Sequence, residues 1–402
     1  MVLLASRQNS MLTRPRLVQW VGTASYSFYL WHWPIVCILA GAGMLSSPVA
    51  VASGMLATLA CGWLSYRFIE VPTRAWLPRL RAGGEMAAIG LVVIAIVIPS
   101  QIIRQLDGVP TRFSAEVQAI FNERNNRNLR IDECLRWKER EHPACTYGGR
   151  ELGVIVLGDS HASSVIQSVA KALPDADLHA LDWTRAACKT IAGLTLRSRQ
   201  KDVCAEHLDY VREQSKMLPP VPMIILFRAD NIVDPSSVTA ASGPPYLYAK
   251  TLFSSPTDAY FAEIREAMID TVCGFASHRP VYWVRPTPDM PFDVPRRMAM
   301  ARNWGETERL GIPWEDYRKR TAFVWSAQDE AAARCGVRIL DPTPTLCTDG
   351  QCWAEFEGRP VFYDDDHLSE RGAAMLIPLF RSVFAPQETP GSVPVSSESG
   401  GG

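Results

Sequence analysis

The chain has almost no net charge: 41 Lys and Arg stand against 42 Asp and Glu, leaving −1 over 402 residues. A nucleic-acid binder carries a basic face, so this balance argues against nucleic acid as a partner. Zinc-type ligand spacing is missing as well. The ten cysteines contain no Cys-x-x-Cys, and His142 and His207 lack partners at the spacing a zinc site needs. No metal and no bound cofactor is expected. A cleavable signal peptide is not evident, because the apolar start Met1–Ala5 is too short for an h-region. Charge is absent altogether from Gly41–Pro48, and that local absence orients the N-terminal part.

What is present is unevenly spread. Hydrophobic residues make up 47% of the chain, and residues 1–104 hold three long apolar runs, Leu17–Ala40, Val49–Ile69 and Met86–Ile103. Each approaches the roughly 20 apolar residues of a membrane-spanning helix, so three spans are expected. Arg14 and Arg16 precede the first, while Arg67, Arg74, Arg79 and Arg81 lie between the second and third. The positive-inside rule then puts the N-terminus in the cytoplasm and everything after about Arg104 outside. His32, in the aromatic run Tyr26–Trp33, is costly at membrane depth and is expected to face a cavity or a partner.

A chain of this length is expected to hold more than one domain. Residues 105–149 form a polar connector with the charged stretch Asn122–Asn128, and the Pro/Ser/Gly-rich tail 386–402 is expected to be disordered. Between them, 150–385 alternates. Strand-like runs are Gly153–Leu157, Leu178–Asp182, Met223–Phe227, Val281–Val284 and Val337–Leu340. Helix-like stretches are Ala162–Ala172, Asp202–Met217, Asp258–Ala276 and Trp314–Cys335, with a final helix after Ser369. Such alternation implies an α/β fold, a parallel sheet with helices on both faces.

The first of these strands stops at Gly158-Asp159-Ser160 and feeds a helix. That turn lies at the carboxyl edge of the sheet, where open α/β sheets bind ligands. Ser160 reads either as a helix cap or as a nucleophile. A serine nucleophile needs a base, itself oriented by a third group. Asp364 and His367, three apart near the end of the domain, supply that pair on one short loop. Only Asp364 has the Asp-x-x-His spacing, so replacing Asp365 or Asp366 is expected to matter little. His161, beside the nucleophile, reads as a pocket wall or structural hydrogen-bonder rather than the base.

A Gly-Asp-Ser turn early in an α/β domain and an Asp-x-x-His near its end resemble the SGNH (GDSL-like) hydrolases. The resemblance implies a flavodoxin-like three-layer α/β/α sandwich with Ser160, His367 and Asp364 as a catalytic triad. It implies an oxyanion hole built from the Ser160 backbone N–H, a glycine and an asparagine. Asn231 is the candidate asparagine, no clear glycine is found, and Arg228 competes as a fixed cation for an oxyanion or an acidic sugar.

Ser25-Tyr26-Ser27-Phe28-Tyr29-Leu30-Trp31-His32-Trp33-Pro34 and Arg67-Phe68-Ile69-Glu70-Val71-Pro72-Thr73-Arg74 resemble the closing helices of acyltransferase-3 membrane proteins. One branch of that family carries an SGNH domain behind an extra final span. The resemblance implies a bacterial inner-membrane protein with an extracytoplasmic, periplasmic SGNH domain. Its implied reaction is O-acylation, with an acetyl group derived from acetyl-CoA, of a cell-surface polysaccharide such as peptidoglycan or lipopolysaccharide. An esterase using the same triad with water is the alternative. Only the closing helices of the family's membrane part are present, so the chain is expected to be a C-terminal part or to pair with a separately encoded membrane half.

In the outer domain Cys134 and Cys145, Cys188 and Cys204, and Cys347 and Cys352 are near neighbours. In an exported domain such pairs suggest disulfides. Cys273 and Cys335 are left open, and Cys37 and Cys61 in the spans read as buried thiols.

Overall fold

A computed structural model describes residues 15–45, 47–106, 108, 110–135, 145–196, 203–228, 245 and 247–385. Asn231, His142 and the tail from 386 lie outside the described residues. The chain divides into two compact units, one of Met1–Phe121 with Arg296–Glu308 and the other of Asn122–Pro295 with Arg309–Gly402.

The first unit is built on long helices: α1, Arg16–Gly41; α2, Pro48–Ser65, running on to Arg79 through a π turn at Tyr66–Glu70; and α3, Ala82–Gln105. Among the described residues two helices, Pro48–Arg79 and Gly83–Gln105, are long and apolar enough to cross a membrane by length and composition. The expected first span, α1, is not one of them. Gln19, Thr23, Ser25, Ser27 and His32 interrupt its apolar content. Small residues bring α1 and α2 together, as such residues let helix backbones approach closely. A Cβ at Gly62 would lie 2.4 Å from the Phe28 ring, and one at Gly54 2.6 Å from Leu39. The Ser27 hydroxyl donates to Glu70 at 2.6 Å, and Glu70 pairs with Arg74 at 2.6 Å. The two N-terminal motifs therefore meet at a partly buried polar contact.

The second unit carries a six-stranded sheet. Its strands are β1 (Thr146–Gly148), β2 (Glu151–Gly158), β3 (Leu178–Thr184), β4 (Met223–Leu226), β5 (Val281–Val284) and β6 (Arg338–Leu340). Their order is β1-β3-β2-β4-β5-β6. All pairs are parallel except β1 with β3. Helices α4 (Ser160–Ala172), α5 (Val203–Met217), α6 (Asp258–Ala276) and α7 (Trp314–Cys335) alternate with the strands. The expected α/β fold with a mostly parallel sheet is thus found.

Alternate strand side chains point to opposite faces, and both faces are covered. Val154, Val156, Ile224 and Leu226 pack with Val165, Ile166 and Val169 of α4 and with Phe380. Ile155, Leu157, Met223 and Ile225 pack with Leu208 and Val211 of α5 and Ile264 and Met268 of α6. Burial on two sides is why these strands read as unbroken apolar runs. The expected single final helix is two, Glu370–Ala374 and Ile377–Arg381. Pro378 has no N–H to continue the first and sits comfortably in the first turn of the second. Short strand β1 and the antiparallel trio 311–313, 347–348 and 351–353 have too few residues to show a period in sequence.

Four disulfides staple this unit: Cys134–Cys145, Cys188–Cys204, Cys273–Cys335 and Cys347–Cys352. The bridge left open by sequence joins α6 to the end of α7, across 62 residues. In the chain-entropy model a loop of that length is worth about 4 kcal/mol, against about 2 kcal/mol for the Cys347–Cys352 hairpin. Replacing Cys273 and Cys335 by Ala should therefore lower the unfolding temperature more than replacing Cys347 and Cys352. Peptide mapping of the non-reduced protein should recover all four links, and free thiols at Cys273 and Cys335 would refute that pairing.

Candidate active site

Strand β2 ends where its chain must turn sharply. Gly158 lies so close to β4 that a Cβ would fall 1.7 Å from the Leu226 carbonyl oxygen. Asp159, not Ser160, caps α4: its Oδ1 accepts from the His161 N–H at 3.0 Å. Its Oδ2 accepts from the Arg228 backbone N–H at 3.0 Å, with the Lys189 ammonium 3.5 Å away. Capping by Asp159 leaves the Ser160 hydroxyl for another contact. The Ser160 N–H lies in the first turn of α4, where N–H groups have no intrahelical acceptor and the helix dipole favours negative charge.

That other contact is His367, whose Nε2 lies 2.7 Å from Ser160 Oγ. The loop 363–367 is closed at its base by the Tyr363 N–H bonding the His367 carbonyl at 3.0 Å. Inside it, Asp364 Oδ1 accepts from the N–H groups of Asp366 at 3.1 Å and His367 at 2.8 Å. Asp364 Oδ2 lies 2.8 Å from His367 Nδ1. The Tyr363 ring stacks on the imidazole at 5.3 Å, nearly parallel, and the His161 ring is 4.7 Å away. Ser160, His367 and Asp364 are thus brought into one hydrogen-bonded line.

Asp366 joins them, contrary to its expected indifference. Its Oδ1 is 2.7 Å from His367 Nδ1, and the residue is only 3% exposed. The reversal of the loop turns both carboxylates toward the same ring nitrogen, which sequence spacing cannot reveal. Asp365, between them, stays exposed. Burial alone would lower the affinity of His367 for a proton, but bonds from Asp364 and Asp366 outweigh it and push its pKa up to about 10. Burial likewise works against the Asp366 charge, yet bonds from His161 and His367 hold its pKa well below the usual carboxylate range.

Arg228 does not present a bare cation to a ligand. Its guanidinium pairs with Asp289 at 2.9 Å and also with Asp366. His161 is buried, with Nδ1 3.3 Å from Thr287 Oγ1 and Nε2 3.5 Å from Asp366. His161, Asp366 and His367 bring ligand-type atoms within 4.8 Å of one another, but Arg228 already supplies the positive charge a metal would bring there. His207 bonds the Trp183 carbonyl at 3.2 Å. Asp289 and Thr287 were not singled out by sequence. Their place just after β5, at the sheet's carboxyl edge, is the signal that marks them.

Residues 133–382 match a family described as an SGNH domain fused to AT3 domains. A stretch of 61 residues is 36% identical to YrhL of Bacillus subtilis (strain 168), named for a proposed peptidoglycan O-acetyltransferase activity. The match covers 15% of this chain and spans only 10% of that relative's length. The periplasmic domain of a Salmonella ser. Paratyphi A lipopolysaccharide acetyltransferase aligns at 12% identity with a TM-score of 0.47, over 67% of this chain and 97% of that one. The catalytic domain of Streptococcus pneumoniae peptidoglycan O-acetyltransferase A, solved with a methylsulfonyl adduct, aligns at 14% identity with a TM-score of 0.28, over 59% of this chain and 94% of that one.

Proposed function

The chain belongs to the family of SGNH domains fused to AT3 domains, and from that premise we propose that it is an O-acyltransferase working through an acyl-serine. Membership makes it an enzyme of the acyltransferase or esterase type. The observation that carries the finer reading is the 2.7 Å contact of Ser160 Oγ with His367 Nε2, with Asp364 behind the ring.

In the first half-reaction Ser160 Oγ attacks the carbonyl carbon of an acyl donor while His367 Nε2 takes the hydroxyl proton. Negative charge on the carbonyl oxygen is met by the Ser160 N–H. Asn231 is proposed as a further donor. The donor's leaving group departs with the proton that His367 held, and the acyl group stays on Ser160. In the second half His367 takes a proton from a glycan hydroxyl, whose oxygen attacks the acyl-serine. The ester passes to the glycan and Ser160 regains its proton. Asp364 holds the Nδ1 proton in place throughout. The acyl group is proposed as acetyl, derived from acetyl-CoA, and the acceptor as a cell-surface polysaccharide.

Tethering supports transfer over hydrolysis, since a membrane-held site can meet a donor delivered through the bilayer. His32, exposed on α1, suits contact with further membrane helices of the AT3 type. The full chain in detergent, given an acetyl ester with and without an oligosaccharide acceptor, decides between the classes. Acetylated sugar formed faster than free acetate supports the transferase. Acetate alone, unaffected by acceptor, makes the protein an esterase.

The arginines Arg67 to Arg81 against the uncharged stretch 41–48 support three spans with the second unit outside the cytoplasm. A reporter active only in the cytoplasm should be silent when fused after Arg104. Strong activity there would reverse the orientation.

A further inference from the structure

The loop bearing His367 delivers two carboxylates to one nitrogen, at 2.8 Å from Asp364 and 2.7 Å from Asp366. They are held differently. Asp364 spends its second oxygen inside its own loop, on the N–H groups of Asp366 and His367. Asp366 is buried and turns its second oxygen outward, to Arg228 and, at 3.5 Å, to His161. Arg228 in turn bonds Asp159 through its backbone N–H and Asp289 through its side chain. Asp366 thereby ties the base to the helix of the nucleophile, to the end of β4 and to the segment after β5.

We propose that Asp366, braced by Arg228, is a second positioning carboxylate, which shares the Nδ1 proton of His367 with Asp364 and holds the imidazole on Ser160. This rests on the acyl-serine reading above. One N–H cannot satisfy two carboxylates fully. Two unopposed negative charges would keep a proton on both ring nitrogens, and an imidazolium takes no proton from serine. Arg228 lessens that problem, because its charge offsets part of that of Asp366 while its fork, one nitrogen on Asp366 and the other on Asp289, fixes the direction of Asp366. The groups against His367 are Ser160 and His161 from α4 and Tyr363, Asp364 and Asp366 from its own loop, with Arg228 after β4 behind Asp366 and Asp365 exposed. Asp289 stands behind Arg228, and Lys189 lies further off against Asp159.

The signs follow from charge. The base works only when deprotonated, so modification of Ser160 should rise with pH, along a limb displaced above the ordinary histidine value of about 6.5. Asp366→Asn removes a negative charge from the ring and moves that limb to lower pH. Arg228→Met leaves Asp366 uncompensated and moves it to higher pH. Each displacement should be on the order of one pH unit, as for a single charge at close range. A merely structural role would lower both rates and displace neither limb.

The test is the second-order rate of labelling of the full-length chain in detergent by a fluorophosphonate, from about pH 6 to about pH 10, the range around the ordinary histidine value and above it. Expected are opposite displacements for Asp366→Asn and Arg228→Met, a limb near that of the parent for Arg228→Lys, and no change for Asp365→Asn. An unmoved limb in Asp366→Asn, or displacement of both variants in one direction, overturns the proposal. Should Asp366→Asn fail to fold, Arg228→Met decides by itself: an upward limb supports the role and any other result rejects it. Ser160→Ala is run alongside. Labelling that survives it removes the acyl-serine reading, a failure distinct from that of Asp366.

Discussion

Ser160→Ala should abolish fluorophosphonate labelling and lower acyl transfer by about 10⁴-fold or more, the residue of activity coming from binding and oxyanion stabilisation. His367→Ala should lower it comparably, because the hydroxyl remains but its proton has no acceptor at 2.7 Å. The third member should behave differently. An amide at the position of the orienting carboxylate ordinarily costs about 10⁴-fold by selecting the wrong tautomer. Here Asp366 Oδ1 also lies against Nδ1, so Asp364→Asn alone should cost one to two orders of magnitude less than that 10⁴. The double variant Asp364→Asn with Asp366→Asn should restore the full loss. Steady-state rates of acetyl ester turnover check this series. A Ser160→Ala protein with parental turnover would end the mechanism, whereas equal losses for Asp364→Asn and the double variant would remove only the sharing of the proton.

Gly158→Ala should be nearly as damaging, by a different route. Its Cβ would meet the Leu226 carbonyl oxygen at 1.7 Å and the Ala162 side chain at 2.7 Å. Leu226 is the register partner of Gly158 across β2 and β4, so backbone rather than a flexible side chain must give way. Overpacking of this kind costs about 1–3 kcal/mol, and a rigid backbone neighbour puts it at the upper end. For a domain of this size about 3 kcal/mol corresponds to roughly 6–12 °C in unfolding temperature. The parted strands would also carry Asp159 away from the Arg228 N–H it holds at 3.0 Å, so labelling of Ser160 should fall even below the unfolding temperature. Thermal unfolding and labelling of the Gly158→Ala chain, both unchanged, would show that the close approach is not needed.

Sequence by itself determined much of this protein because much of it is encoded locally. A strand buried on both faces is an apolar run, and Val281–Val284 coincides with β5 as expected. A helix shows its period and its caps, and Asp258–Ala276 and Trp314–Cys335 coincide with α6 and α7. Gly158-Asp159-Ser160 and Asp364-x-x-His367 are short enough for their geometry to be a property of one turn each.

Only the tertiary structure decided which groups meet across turns. It gave the cap to Asp159 and left the Ser160 hydroxyl for His367. It joined Cys273 to Cys335, whose helices α6 and α7 lie side by side. It turned Asp366 to His367 and matched the charge of Arg228 with two carboxylates from two further segments. The physical reason is common to these cases. The turn after β2, the residues after β4 and β5, and the His367 loop converge at the carboxyl edge of the sheet because of the strand order β1-β3-β2-β4-β5-β6, and strand order is set by the packing of both faces at once, which leaves no periodic trace in any single segment.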